Sequence, residues 1–178
     1  MITSLKFVAD TYDLLQYEVD GRIERIPFSS IREYWEYATV EDFEGGSAYV
    51  SDSRIIGFIT VASGQAGVVF VWNVENHLIE HLSEGAYTIS VLLHGDTIYN
   101  LCCVMNYATP AHFMLCKAKL GTKDASTVTD VMEFNCSCSV DEYNGSFGSV
   151  KLMANKEKLY LSANGKEYPL HINNTALE

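Results

Sequence analysis

Three short patterns in this chain gather side chains that could do chemistry. His77-Leu78-Ile79-Glu80-His81 sets two imidazoles and a carboxylate in the order H-x-x-E-H. Coiled into a helix, His77 and His81 would share a face and could hold zinc, with Glu80 as general base. Asn76 could cap such a helix and Gly85 could end it. The chemistry also needs an acidic ligand on a second helix, and the residues after 85 read as strands. Two surface histidines beside a satisfied glutamate are the plainer reading, so no metal or other cofactor is expected. Asp141-Glu142 are adjacent acids. Paired carboxylates run glycoside hydrolysis when their spacing in space is right. Here they precede the turn pair Asn144-Gly145, which favours a solvated turn. Cys136-Ser137-Cys138 has a spacing that can bind soft metals. Its remaining ligands would have to come from Cys102, Cys103 and Cys116, which fall in different strand candidates. Buried, reduced thiols are expected instead.

Other reactive arrangements are missing from the sequence. Gly64-Gln65-Ala66-Gly67 lacks the Gly-Lys-Ser/Thr ending of a phosphate loop. None of Ser90, Ser137 and Ser149 sits in G-x-S-x-G. The densest aromatic cluster is Tyr34, Trp35 and Tyr37, flanked by Glu33 and Glu36. Large rings beside polar groups suit a binding surface. Trp35 is expected to anchor to the core, leaving Tyr34 and Tyr37 for contact.

The elements that must carry these residues are mostly strands. Asp20-Gly21 supplies the positive φ angles of a tight hairpin between 14–19 and 22–28. Ser30-Ile31-Arg32-Glu33 has capping-box spacing, and Ile31, Tyr34, Trp35 and Ala38 follow at helical intervals, predicting one short helix. Glu41 to Gly46 reads as an acidic, glycine-ended loop, and an internal boundary is expected near 41–47. Strands then come at short intervals: 47–50, 55–62, 68–74, 87–93, 97–105, 111–120, one or two within 128–140, 150–154, 158–163 and 166–172. Ser51-Asp52-Ser53, His94-Gly95-Asp96, Asn144-Gly145 and Asn164-Gly165 mark turns between them. The expected class is all-β, mainly antiparallel, with one or two short helices.

The run Val68-Val69-Phe70-Val71-Trp72-Asn73 ends a β-branched, aromatic strand in a Trp-polar pair. Asn76-His77 follows as a turn, then Leu78 to Leu82 as an outer strand, and Ser83-Glu84-Gly85 leads to the next apolar strand. Over about 40 residues this order resembles a degenerate WD-repeat blade of a β-propeller. Asn73 stands where that family has an acid, and no second Trp-Asp-like pair recurs. The resemblance implies propeller-like blades; a plain β-sandwich or barrel with Trp72 in its core is the alternative. It also implies that residues 1–178 are a single all-β unit that is part, or one half, of a larger ring. A homodimer is one way to complete it.

Composition bounds the partners. The chain of 178 residues is 48% hydrophobic, enough for a sizeable core. Its 12 Lys and Arg face 23 Asp and Glu, a formal net charge of −11. Phosphate backbones and anionic lipid repel such a surface, so neither nucleic acid nor membrane is an expected partner. No basic-then-apolar leader opens the chain and no uncharged apolar run nears ~20 residues, which predicts a cytoplasmic protein. The expected function is a non-enzymatic binding or scaffold module making protein–protein contacts. The rival is a small hydrolase or carbohydrate-active domain using Asp141 and Glu142, or Glu80 with His77 and His81.

Overall fold

The computed structural model describes residues 1–8, 13–32, 43–61, 66–104, 111–121, 130–136, 150–155, 158–163 and 165–170. Among these, nearly all backbone is strand. The first sheet holds β1 (Ile2–Phe7), β2 (Asp13–Val19) and β3 (Arg22–Pro27), followed by the one-turn helix α1 (Ser29–Arg32). The second holds β4 (Phe43–Ser51), β5 (Arg54–Val61), β6 (Ala66–Asn73) and β7 (Leu78–Glu84). The third holds β8 (Thr88–His94), β9 (Thr97–Val104), β10 (Ala111–Lys119) and β11 (Asp130–Cys136). The fourth holds β12 (Val150–Asn155), β13 (Lys158–Ala163) and β14 (Lys166–Leu170). Each sheet is an antiparallel meander in which neighbours in sequence are neighbours in space. The all-β class expected from the turn spacing is the class observed.

Alternation explains how the sheets stack. On the second sheet, Ile55, Ile59, Val68, Phe70, Trp72 and Leu82 join Leu14, Leu15, Tyr17 and Ile26 of the first. Ile31 of α1 is fully buried in that same core. The opposite face sends Ile56, Phe58, Val69 and Val71 against Val91 and Ile98 of the third sheet. The third sheet's other face carries Leu101, Cys103, Phe113 and Leu115 to Leu152 and Leu161 of the fourth. The two inner sheets are therefore covered on both faces. That is why β6 reads as an unbroken apolar run rather than an alternating one. Each fully buried large side chain contributes roughly 1.5–3 kcal/mol relative to exposure.

The turn chemistry acts as expected at several places. Asp20 and Gly21 both have positive φ, 49° and 76°, matching the right-handed twist of the flanking strands. Gly95 and Gly165 likewise sit at positive φ in the β8–β9 and β13–β14 turns. One reading of the chain needs correction, and one strand was not anticipated. Glu41 to Gly46 is not wholly a loop, because β4 begins at Phe43 and runs through Gly45-Gly46. A Cβ on Gly46 would stand 2.5 Å from the Phe58 carbonyl oxygen, so this glycine serves a close strand approach and not a bend. The opening residues 2–7 also form a strand, held in register by the pairs Leu5↔Tyr17 and Phe7↔Leu15. The described helix spans Ser29–Arg32; the rest of the helix expected from 30 to 38 lies outside the described residues.

Candidate functional site

The opening strands of the second, third and fourth sheets, β4, β8 and β12, are all edge strands. They border one cleft of about 770 Å³. Glycine and hydroxyl residues keep it open: Gly45, Gly46 and Ser47 on β4, Thr88 and Ser90 on β8. Ile89, Val91 and Met153 supply apolar wall, and Lys151 is the one charged residue among its described lining. A repeated hydrogen bond ties these edges together. The Leu93 amide of β8 donates to the Tyr49 hydroxyl of β4 at 2.7 Å. The Leu152 amide of β12 donates to the Ser90 hydroxyl of β8 at 3.0 Å. In both, the opening strand of one sheet accepts from the opening strand of the next. Burial pushes the Tyr49 phenol up, against the opposing pull of the Leu93 amide, so it stays protonated. The described walls place no carboxylate or imidazole in the cleft.

A second polar centre closes the β6–β7 turn. Asn73 Oδ1 accepts the amides of Glu75 and Asn76, at 2.9 and 3.2 Å. Asn76 Oδ1 in turn accepts the Leu78 amide. An amide oxygen thus caps this turn as a carboxylate oxygen would. His77 takes a positive φ of 55° there and meets Trp72 edge-on, with ring centroids 6.3 Å apart. Trp72 donates its indole N–H to the Tyr17 hydroxyl across the sheet junction at 3.3 Å. Glu80 faces Arg54 Nε and Asn73 Nδ2, each at 2.6 Å. Burial raises the Glu80 carboxyl, but its bonds to Arg54 and Asn73 outweigh that and leave it below the usual range. Glu80 is therefore an ionised brace between β5, β6 and the start of β7.

The H-x-x-E-H residues are divided between a turn and a strand. His77 is exposed in the turn, and residues 78–84 form β7 rather than a helix. His81 is fully buried on β7. It stands opposite Val71, on the face that meets the third sheet. Its Nε2 lies 3.1 Å from the Ser83 hydroxyl, while Nδ1 has no hydrogen-bond partner among the described residues. Burial depresses its pKa to about 4, with the nearby Lys119 backbone pulling weakly the other way. The imidazole is neutral at ordinary pH. Among the described residues, no three His, Cys, Asp or Glu side chains are grouped so as to hold a metal ion.

Tyr34, Trp35, Tyr37, Asp141 and Glu142 lie outside the described residues. No helix among the described residues is long and apolar enough to cross a membrane. No family model matches this chain, and neither a curated protein nor a solved structure does. The cleft was the feature sequence reasoning missed. Its signal was the small-residue run Gly45-Gly46-Ser47, which reads as punctuation until another sheet's edge is placed beside it.

Proposed function

We propose that this chain is a non-enzymatic β-rich module that binds protein partners at the cleft bordered by β4, β8 and β12, and that its sheets are propeller-like blades. The observation that carries the binding reading is the cleft itself: three strand edges converge on it, its wall is mainly apolar, and Lys151 is its one described charge. Such a surface offers shape, backbone groups and apolar contact, which suit an extended partner segment. Three observations support the blade reading. The sheets are up-and-down meanders in chain order. Their opening strands share the cleft and repeat the same hydroxyl-to-amide tie. Asn73 caps the turn after Trp72 in the place where the WD-repeat resemblance puts an acid. Two copies would supply eight sheets from the four described in each, within the ~4–8 blades of closed propellers.

The rival hydrolase reading asks for a carboxyl raised toward neutrality in a concave site. Glu80 moves the other way and braces a turn. A photo-crosslinking residue at Ser47 tests the binding reading against one at Thr3, an exposed position on β1. Defined protein adducts are expected from Ser47 and none from Thr3, and Ser90→Trp, which fills the cleft, should abolish them. Equal adducts at both positions, or adducts that survive the filled cleft, would sink the proposal.

A further inference from the structure

Cys102 and Cys116 sit on neighbouring antiparallel strands, β9 and β10. Cys116 stands opposite Asn100, and Cys102 stands opposite Met114. Asn100 and Cys102 are two residues apart and share a face, so the two cysteines are diagonal neighbours on it. It is the face turned to the second sheet, because Asn100 also stands opposite Val91, which packs with Val69 and Val71. The adjacent Cys103 points the other way, into the core with Phe113 and Leu115. Cys102 and Cys116 are both buried and free. Their sulfurs are in hydrogen-bonding contact, and the Thr88 hydroxyl also touches Cys102. The bond from Cys102 holds the Cys116 thiol below its usual range despite burial, while Cys102 is pushed up and keeps the shared proton. Diagonal partners stand about 7–8 Å apart at Cα, past the roughly 7 Å that a disulfide spans without backbone movement. The two side chains already touch, and closing the bond requires the backbone to move, drawing β9 and β10 together there.

We propose that Cys102 and Cys116 form a modification site, oxidised by a peroxide to a cross-strand disulfide. The Cys116 sulfur attacks one peroxide oxygen; an S–O bond forms, the O–O bond breaks, and the departing hydroxide leaves as water on taking a proton. The Cys102 sulfur then attacks the Cys116 sulfur; the S–S bond forms, the S–O bond breaks, and a second water carries off the oxygen with the Cys102 proton. In sum, two thiols and one hydrogen peroxide give one disulfide and two waters. A small neutral oxidant suits a buried pair. The bond would act on the joint between the second and third sheets. Thr88, beside Cys102, lines the cleft and donates to the Gly85 carbonyl at 2.6 Å, and Asn100 donates to the Glu84 carbonyl at 3.4 Å. This site stands independently of the binding reading.

The test treats the full chain with hydrogen peroxide, quenches with catalase, and unfolds it in iodoacetamide. Two of the five thiols should escape alkylation, and dithiothreitol should restore both. Trypsin cannot map the link, since no Lys or Arg lies between Arg54 and Lys117, so chymotryptic fragments are read. A cross-linked pair holding residues 102 and 116 is expected. Cys102→Ala and Cys116→Ala should each abolish it, and Cys103→Ala should leave it. Five alkylated thiols, overoxidation of one sulfur without a link, or a link that survives Cys116→Ala would each overturn the proposal. Tandem mass spectra of the linked fragments from the unmutated chain, broken between residues 102 and 103, decide the matter even where a variant fails to fold.

Discussion

At Trp72, Asn73 and Glu80 three side chains convert the end of a strand into a rigid turn. Trp72 ties the second sheet to Tyr17 of the first. Asn73 caps the turn, and Glu80 is clamped by Asn73 and Arg54. Glu80 drew attention as a possible general base, and its bonds show why it does structural work instead. His81 makes the sharpest case at this scale. Its folded pKa is about 4, below the ordinary 6.5, because burial disfavours the charged ring. Between those values the unfolded chain binds the extra proton, so stability rises with pH across that window. It is fully present above about 6.5 and is lost as pH falls toward 4. The loss is expected to be on the order of 3 kcal/mol. Urea melts between pH 7 and 4 should show this slope in the natural chain and a flatter one in His81→Gln. Parallel slopes for the two would refute the assignment.

Elements were legible in proportion to how local their causes are. The hairpin at Asp20-Gly21 was readable because two adjacent residues satisfy its backbone angles without help. β6 was readable from its β-branched and aromatic run. The opening of β4, Phe43 to Gly46, was hidden because glycine usually interrupts strands, and here Gly46 permits crowding. The glycines therefore divide into two kinds, and mutation should separate them. A Cβ on Gly67 would lie 2.3 Å from the Gly85 carbonyl oxygen and 2.7 Å from that of Ile59. Neither is a side chain that can swing away, so Gly67→Ala should cost at least about 2 kcal/mol. Gly45 has nothing among the described residues within 4 Å of its would-be Cβ. Gly45→Ala should stay within about 0.5 kcal/mol of the natural chain. Chemical denaturation of both variants checks the contrast, and equal effects would show that the crowding at Gly67 is not binding.

As a whole molecule the chain is a sequence of meanders, each using its neighbours to bury what it cannot bury alone. Among the described residues the core clusters follow the order of the sheets, first on second, second on third, third on fourth. The first of them joins residues before and after 41–47, the stretch that resembled a boundary. Charge is a property of this scale too. A formal net charge of −11 disfavours polyanions and favours basic proteins on electrostatic grounds, each effect weakening as salt screens it. Fluorescence anisotropy of a labelled DNA duplex should therefore show no binding even at low ionic strength, where electrostatic attraction would be greatest. Saturable binding there would contradict the charge argument.

What belonged to the residues alone was the class of the fold. Turn angles, β-branched runs and alternation are set by neighbours along the chain, and they suffice to specify antiparallel strands and most of their hairpins. What only the packed molecule decided was which surfaces meet. Whether an imidazole is exposed or sealed, whether two sulfurs touch, and whether a glycine bends a chain or admits another strand all depend on residues far away in sequence. The cleft is the extreme case, since its walls come from strands as distant as β4 and β12. If those three edges do not enclose a shared space in solution, as widely separated spin labels on Ser47 and Lys151 would reveal, the contact function loses its physical basis.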